Sequence, residues 1–529
     1  MNNTTTRTDT HTMAALFRNT AARCGNREAL VADNARLTYA ELDARTDALA
    51  KSLQKQGVNG NTIIGTLLLD GLAMVELTIA SAKLGATLLA LNWRLAPGEL
   101  RYIMGDASPD LYFVSDCFES LFEEAGGTNA YVIKPGDPNG AAASLSQLQS
   151  QLQSQQQSQE QPQAASNDSE QINIDVKRTD RWYMLYTSGT TGRPKGCQHS
   201  QGAYFTNVLS WLSQLGISEK DCLLSINPLF HVHGFGTFLC ALVAGAKVVI
   251  PPRSFSVEET LTLTAEEQVT FQPLWQDAGA YLKLQGERQL PLKLRLLIAP
   301  GGALPTEFIE MLAAANIDMR FIYGQTESGC WISMLGLQDQ LQHPKSCGKA
   351  MPHLATRIVD DNGQDLPQGE VGELLIKGDT ITMGYHNLPD ATAETIVDGW
   401  LHTGDLFYQD EDGFLYLTGR KKELIKTGGE NVYPAEVDSV LVSHPQIADA
   451  CVVGIADKRW GEAVKAFVVL APGASLSRED IVAWCREHIA GYKRPRYIEY
   501  IDAIPRDFNQ KVQRLALAKR ETTADQAVD

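Results

Sequence analysis

Residues 186–196 read YTSGTTGRPKG, and their types suit a polyphosphate ligand. Thr187, Ser188, Thr190 and Thr191 bring hydroxyl donors, while Gly189 and Gly192 let backbone N–H groups approach an anion closely. Lys195 adds a full positive charge at once. The spacing is not that of the Walker loop, where a serine or threonine follows the lysine; here Gly196 follows it. A flexible Ser/Thr/Gly turn without a ligand is the plainer alternative for this stretch taken alone.

Three later segments narrow the choice. Residues 323–327 read YGQTE, 400–405 read WLHTGD and 413–431 read GFLYLTGRKKELIKTGGEN. Together with the first loop, and in this order, they resemble the AMP-forming adenylate superfamily. That superfamily includes acyl-CoA synthetases, peptide-synthetase adenylation domains and firefly-type luciferases. The resemblance runs from about residue 29 to residue 514. It implies that a carboxylate attacks the α-phosphorus of ATP, giving an acyl-adenylate and pyrophosphate. Two anions must meet, so such a site needs cations and Mg²⁺.

By this resemblance, Thr187, Ser188, Gly189, Thr190, Thr191, Gly192 and Lys195 cradle the β- and γ-phosphates. Thr326 binds the α-phosphate, and Glu327 holds Mg²⁺, a hard cation that prefers a carboxylate. Tyr323 stacks on adenine, with Gly301, Gly302 and Ala303 as the opposite wall and Gly324 beside them. Asp405 accepts from the two ribose hydroxyls, as an acceptor-only carboxylate can, and Arg420 is a second ribose ligand. For both, a surface ion pair is the structural alternative.

Lys511 matches the late catalytic lysine that bridges the substrate carboxylate and the α-phosphate. The family carries a glycine before this lysine; here it is Gln510, which tolerates positive φ poorly. Ile504-Pro505-Arg506 and Arg514 keep the register. Lys422 occupies the hinge about which the family's lid rotates between half-reactions. The face brought in by that rotation carries Gly428 and Gly429, which leave room for pantetheine, and Trp460, which resembles a platform for the adenine of CoA. A packing role for Trp460 is the alternative.

The acyl pocket is expected from His231, His233, Gln272, Trp275, Gly302, Gly324, Gly329, Cys330 and Trp331. His231 matches the family's gate beside this pocket, and His233 shares its side if the segment is extended. The two histidines lack further ligands at metal spacing. Peptide-synthetase members hold an α-amino group with an aspartate in a Phe-Asp segment. Here the segment is Phe230-His231, which argues against amino acids. Two tryptophans among polar groups suit an aromatic or short polar acid better than a long alkyl chain; a cage for a cationic acid is a further option. Either tryptophan could equally serve core packing.

These residues must be positioned by a large protein. The chain has 529 residues, too many for one core. Apolar residues make up 44%, and 46 basic against 63 acidic residues give a formal charge of −17. So acidic a surface argues against general binding to nucleic acid or anionic membranes, but not against a local basic pocket. The nine cysteines form no C-x-x-C pair and fit reduced thiols in the cytoplasm. The first 13 residues lack the apolar stretch of a signal peptide, and the carboxyl-terminal residues are no peroxisomal address. The apolar region 65–92 is broken by Asp70, Glu76 and Lys83, so it reads as strand, helix, strand rather than a membrane anchor.

Thr38 to Glu41 form a capping box ahead of Leu42, Leu49 and Leu53 at helical spacing. Strands are expected at 63–69 and 87–91 with a helix over 71–84 between them, and again at 246–250 and 294–299. This alternation predicts an α/β protein: a large amino-terminal domain, 13–419, of mostly parallel sheets with flanking helices. A small carboxyl-terminal α+β lid, 420–520, follows. Its elements are a helix within 432–442, strands at 451–454, 465–470 and 497–501, and a helix capped at Ser477 by Asp480. Residues 1–12 are expected to be disordered, 521–529 to be a loose tail, and 141–170, rich in Gln and Ser, to be a solvated surface insertion.

The resulting reading is an acyl-CoA ligase: carboxylate, ATP and CoA give acyl-CoA, AMP and pyrophosphate. Loading of an acyl group onto a carrier-protein thiol is the alternative, disfavoured by the paired glycines and Trp460. A nucleotide-binding pseudoenzyme is a third, for which only Gln510 speaks. The acid's identity and the oligomeric state, a homodimer among the options, are left open.

Overall fold

The computed structural model describes residues 9–141, 175–187, 193–252, 256–273, 283, 292–300, 306–506, 512–523 and 526–528. Nearly all of the Gln- and Ser-rich stretch lies outside them. The chain divides into two compact units, Met1–Ala355 with Ile376–Leu401, and Thr356–Leu375 with His402–Asp529.

The first unit is built on two sheets. One runs, in spatial order, Gly384–Tyr385, Lys195–Ser200, Arg181–Thr187, Thr87–Ala90, Ile63–Leu67, Leu111–Ser115 and Ala130–Ile133. Its last five strands are parallel, and the first two join antiparallel. Every residue of Ile63–Leu67 and Thr87–Ala90 is buried, as expected of parallel strands covered on both faces. The other sheet places Cys330–Gly336, Asp318–Gln325, Leu296–Pro300, Phe271–Pro273, Cys222–Leu224, Lys247–Val249 and Glu28–Ala32 side by side, with short antiparallel strands at both edges. The helices are those the pattern implies. Thr38 accepts from the Glu41 N–H while Glu41 reaches back to the Thr38 N–H at 2.8 Å, and the helix Tyr39–Lys55 buries Leu42, Leu49 and Leu53.

Helix Leu72–Leu84 is buried on all sides, including Glu76 and Lys83. Both charges are paired. Arg45 Nε meets Glu76 at 2.7 Å, and Lys83 Nζ meets Asp43 and Asp47 at 2.6 Å each and the Thr46 hydroxyl at 2.8 Å. The charges that interrupt the apolar run therefore stitch this helix to Tyr39–Lys55. Near the amino terminus, Asp9 accepts from the Arg178 N–H at 2.8 Å, and Thr12 caps the helix Met13–Cys24. Residues 9–12 are thus attached, although the sequence reads 1–12 as disordered.

In the second unit, strands Trp400–Gln409 and Leu415–Arg420 pair antiparallel. The Thr403 hydroxyl donates to the Leu374 carbonyl at 2.7 Å. This pairing carries Asp405 into the second unit, whereas the sequence reading changes domain after residue 419. A further sheet orders Glu430–Val432, Ile425–Thr427, Gly461–Leu470 and Ile447–Asp457, with Tyr497–Tyr500 parallel to Gly461–Leu470. Val437, Leu441, Ile481 and Val482, from helices Pro434–Val442 and Arg478–His488, join Val452, Val464 and Ile498 in one core. The tail is tied as well: Val528 N–H donates to the Arg496 carbonyl at 2.9 Å, and Lys465 Nζ donates to Thr522 at 3.1 Å. Among the described residues no helix is long and apolar enough to cross a membrane.

Lys83→Met removes a buried ammonium and leaves Asp43 and Asp47 without their common cation. Both carboxylates retain solvent access, so the expected loss is about 1–3 kcal/mol, below that of a fully buried pair. Urea denaturation should show a lower midpoint for the first unit with an unchanged slope.

Candidate active site

The nucleotide side of the site is built around one chain reversal. Strand Asp318–Gln325 ends in the short helix Thr326–Ser328, and Cys330–Gly336 returns antiparallel to it. Gly324 lies at the register shift of this pair, and a Cβ there would fall 1.6 Å from the Cys330 carbonyl oxygen. Only glycine fits such an approach. The reversal is clamped from the other sheet. His199 Nε2 lies 2.7 Å from the Thr326 carbonyl, and the Thr382 N–H donates to the Glu327 carbonyl at 2.7 Å. The Tyr385 hydroxyl donates to Glu327 Oε1 at 2.8 Å.

Glu327 is half-buried, and its Oε2 makes no hydrogen bond among the described residues. A fixed carboxylate with one free oxygen suits a hard divalent cation. Burial and the Glu327 charge push the Tyr385 hydroxyl up, keeping it a donor. Strands Arg181–Thr187 and Lys195–Ser200 pair Thr187 with Lys195, so these two residues bracket the glycine-rich loop. Lys195 Nζ sits 4.8 Å from the Tyr385 ring centroid, next to the Glu327 clamp. Ser188, Gly189, Thr190, Thr191 and Gly192 lie outside the described residues, as do Gly301, Gly302 and Ala303. Tyr323 is buried in strand Asp318–Gln325.

Of the residues expected to line the acyl pocket, Gly324, Cys330, Trp331 and His233 lie together. Trp331 is buried and stands opposite Gly324 in the strand pair. Trp211, from helix Gln201–Leu215, packs on it with ring centroids 4.6 Å apart. The His233 ring lies 6.2 Å from that of Trp331. A Cβ on Gly236 would come within 2.9 Å of Trp211 and 3.6 Å of Cys330 Sγ, so helix Val232–Ala244 closes on both. Gln272 is buried beside Thr264, their side chains 3.4 Å apart.

His231 and His233 are not on one strand face. His231 is the N-cap of helix Val232–Ala244, and His233 lies in its first turn. Gly234 allows the turn, since a side chain there would strike the Pro228 carbonyl. Trp275 lies outside the described residues.

Sequence reading missed Trp211, Asn207, His199 and Tyr385. A signal for the first two exists: Tyr204, Asn207 and Trp211 recur at i, i+3, i+7 on one helix stripe. Tyr204 Oη, Asn207 Oδ1, Trp211 Nε1, Trp331 Nε1, both His233 ring nitrogens and His199 Nδ1 are buried without a hydrogen-bond partner among the described residues. A buried donor or acceptor left so costs about 1–3 kcal/mol.

The second unit holds the ribose and CoA candidates. Asp405 and Arg420 face each other across the hairpin, with Nε 3.1 Å from Oδ1. Lys422 is exposed in the short helix Lys421–Glu423. Gly428 and Gly429 both take positive φ, 60° and 88°. The Gly428 N–H donates to the Trp460 carbonyl at 2.8 Å, and a Cβ on Gly428 would press on the Trp460 ring at 2.9 Å. The guanidinium groups of Arg459 and Arg496 lie over that ring, 4.7 and 4.4 Å from its centroid. Lys511 and Gln510 lie outside the described residues. The chain on either side is joined by the Arg506–Val512 bridge, and Arg514 is anchored by Glu423 at 3.0 Å and Asp438 at 2.5 Å.

Comparison with known proteins gives a consistent picture. The profile of the AMP-binding enzyme family matches residues 17–386, and that of its C-terminal domain matches residues 436–511. The chain is 32% identical over 495 residues to an indoleacetate–CoA ligase of Aromatoleum aromaticum, covering 90% of this chain and 92% of the relative. It is 32% identical over 481 residues to a 2-succinylbenzoate–CoA ligase of a Geobacillus strain, covering 90% and 91%. Among solved structures it resembles the o-succinylbenzoate CoA synthetase of Bacillus subtilis in complex with its acyl-adenylate. That match has a TM-score of 0.80 at 29% identity, over 96% of this chain and 98% of that one. The same enzyme with ATP and magnesium gives 0.79 at 29% identity, over 95% and 98%.

Burial lowers His199, His233 and His353 to about 4 each. The unfolded chain binds protons at all three from about pH 6.5 downward while the folded chain does not. Their stability contribution is therefore full above that value and lost as pH falls toward 4. Asp70, which accepts the Leu229 N–H at 3.1 Å just ahead of His231, is raised by burial to about 7. Its sign is opposite: the contribution is full below the ordinary aspartate range and lost as pH rises through about 7. Thermal melting from pH 8 to pH 5 should show Asp70→Asn more stable than the native chain at pH 8, with the advantage vanishing at the acid end.

Proposed function

We propose, for a chain that belongs to the AMP-binding enzyme family, that the acid it activates is aromatic or short and polar. The chemistry is that of a carboxylate–CoA ligase: an acyl-adenylate forms with ATP, and CoA takes the acyl group to release AMP. One observation carries the substrate reading: the cluster of Trp211, Trp331 and His233 packed directly behind the Gly324–Glu327 reversal. Two indoles and an imidazole beside this turn suit a ring or a compact polar group better than a long alkyl chain. The curated relatives named above act on indoleacetate and 2-succinylbenzoate, both aromatic acids.

In this reading Thr187 to Gly192 and Lys195 receive the β- and γ-phosphates. Thr326 receives the α-phosphate, and Glu327, steadied by Tyr385, holds Mg²⁺. The metal supplies charge neutralisation at the phosphates. Tyr323, Gly301, Gly302, Ala303 and Gly324 frame the adenine, and Asp405 with Arg420 binds the ribose. Lys511 bridges carboxylate and α-phosphate as negative charge builds. His231 gates the acyl pocket, Lys422 is the hinge, and Gly428, Gly429 and Trp460 admit CoA. The nine cysteines are free thiols, which supports work in the cytoplasm.

Purified protein with Mg-ATP should release pyrophosphate with aryl or short polar acids and form a thioester when CoA is added. A preference for long-chain fatty acids would overturn the substrate reading. Adenylation that turns over only with a carrier-protein thiol would replace CoA as acceptor. Lys511→Ala should lower adenylation by about 10²–10³, equivalent to about 3–4 kcal/mol of transition-state stabilisation. Adenylation at the native rate in that variant would remove Lys511 from its role.

A further inference from the structure

Strand Lys195–Ser200 begins where the glycine-rich loop ends, and it carries Lys195, Cys197 and His199 on one face, two residues apart. Lys195 Nζ lies against the Tyr385 ring, and His199 Nε2 lies 2.7 Å from the Thr326 carbonyl. A carbonyl only accepts, so Nε2 carries the proton and His199 is the donor. Cys197 Sγ is 3.4 Å from the same nitrogen. The strand also ties in a second segment. The Gln198 carbonyl accepts from the Thr382 hydroxyl at 2.7 Å and from the Met383 N–H at 2.9 Å. That segment in turn holds Glu327, through the Thr382 N–H on its carbonyl at 2.7 Å and the Tyr385 hydroxyl on Oε1 at 2.8 Å.

The need to pair a carbonyl does not account for His199. The Thr326 carbonyl already accepts the Gly329 N–H at 3.0 Å, which closes the turn. A second donor, nearer and carried by a side chain 0% exposed on the other sheet, adds no closure. What it adds is direction: it fixes the tilt of the peptide between Thr326 and Glu327. That peptide joins the residue assigned to the α-phosphate to the one assigned to Mg²⁺, so a change of tilt displaces both at once. A displacement of about 1 Å at reacting groups is enough to cost about 100-fold in rate.

We propose that His199 is a positioning residue for the metal–nucleotide complex. By holding the Thr326 carbonyl it sets where Thr326 and Glu327 meet the α-phosphate and Mg²⁺, in register with Lys195 at the start of the same strand. This rests on the ligase reading above, and it gives His199 neither a contact with ATP nor a proton to transfer.

The test needs no acid. Isothermal titration of the full-length protein with ATP, once with Mg²⁺ and once with EDTA, gives two dissociation constants, and their ratio reports how well Glu327 meets the metal. The native ratio should favour Mg-ATP by about 10-fold or more. His199→Phe keeps a ring and removes the donor; it should shrink the ratio by about 5-fold or more while metal-free affinity stays within about 2-fold. His199→Gln, whose amide reaches the same carbonyl, should hold the native ratio. His199→Asn is polar but too short to reach Thr326, and it should lose the ratio as His199→Phe does; it decides the matter if the phenylalanine variant does not fold. Glu327→Gln should abolish the preference for the metal complex.

A native ratio in both His199→Phe and His199→Asn, with Glu327→Gln lowering it, overturns the role of His199 and leaves the metal role of Glu327 standing. Equal losses of affinity with and without metal mark a residue that only supports the fold, and overturn the proposal as well. A native protein without metal preference, or a preference that survives Glu327→Gln, overturns the metal role of Glu327 and this proposal with it.

Discussion

The close approach of two backbone strands at Gly324 governs the site. With the Cys330 carbonyl oxygen where a Cβ would stand, the strand Asp318–Gln325 and its return Cys330–Gly336 draw together at the point where the chain reverses. One consequence is spatial economy. The reversal carries Thr326 and Glu327, proposed for the phosphates, and three residues later Cys330 and Trp331, proposed for the acyl group, on two arms of one turn. His199 and Tyr385, from strands of the other sheet, clamp the turn by its carbonyl and by its carboxylate. The two sheets of the first unit are thereby held to the same few atoms.

Electrostatics sharpen this arrangement. A chain with a formal charge of −17 repels anionic ligands at long range, so affinity for a polyphosphate must come from cations placed at short range. Lys195, beside the Tyr385 ring and close to the fixed carboxylate of Glu327, is the one proposed here. Elsewhere buried charge is used for construction. Lys83 and Glu76 sit in a helix with no exposed face; their charged partners come from the helix Tyr39–Lys55, and the Ala141 N–H also donates to Glu76. Such pairs add specificity of docking more than net stability, since desolvation offsets much of the attraction.

How far the sequence could be read follows from the range of the forces involved. Capping boxes at Thr38 and Ser477 are local, and both helices begin where those residues imply. Parallel strands at 63–67 and 87–90 announced themselves as short, largely apolar runs. The partners of Lys83 were hidden because they lie about 40 residues away on another helix. The segment at His231 misled for a local reason. Pro-Leu-Phe-His-Val-His-Gly reads as extended, but Gly234 admits the Pro228 carbonyl and lets a helix start at Val232. Trp211 was illegible as a site residue because its meaning depends on Trp331, 120 positions further on, and no spacing rule links a helix stripe to a strand in another part of the chain.

The second unit illustrates the same point on the CoA side. Trp460 could be taken from sequence alone as a packing residue. In the structure two guanidinium groups lie over its ring, and Gly428, with positive φ, stands beside it. A tryptophan that merely filled a core would be ringed by aliphatic carbon. Here two arginines stack on the ring as cation–π partners, concentrating positive charge around it. Arg496 reaches Trp460 because strand Tyr497–Tyr500 runs parallel to Gly461–Leu470, pairing Lys465 with Tyr497. The order of strands in this small sheet is therefore what brings the distant Arg496 to the Arg459–Trp460 pair.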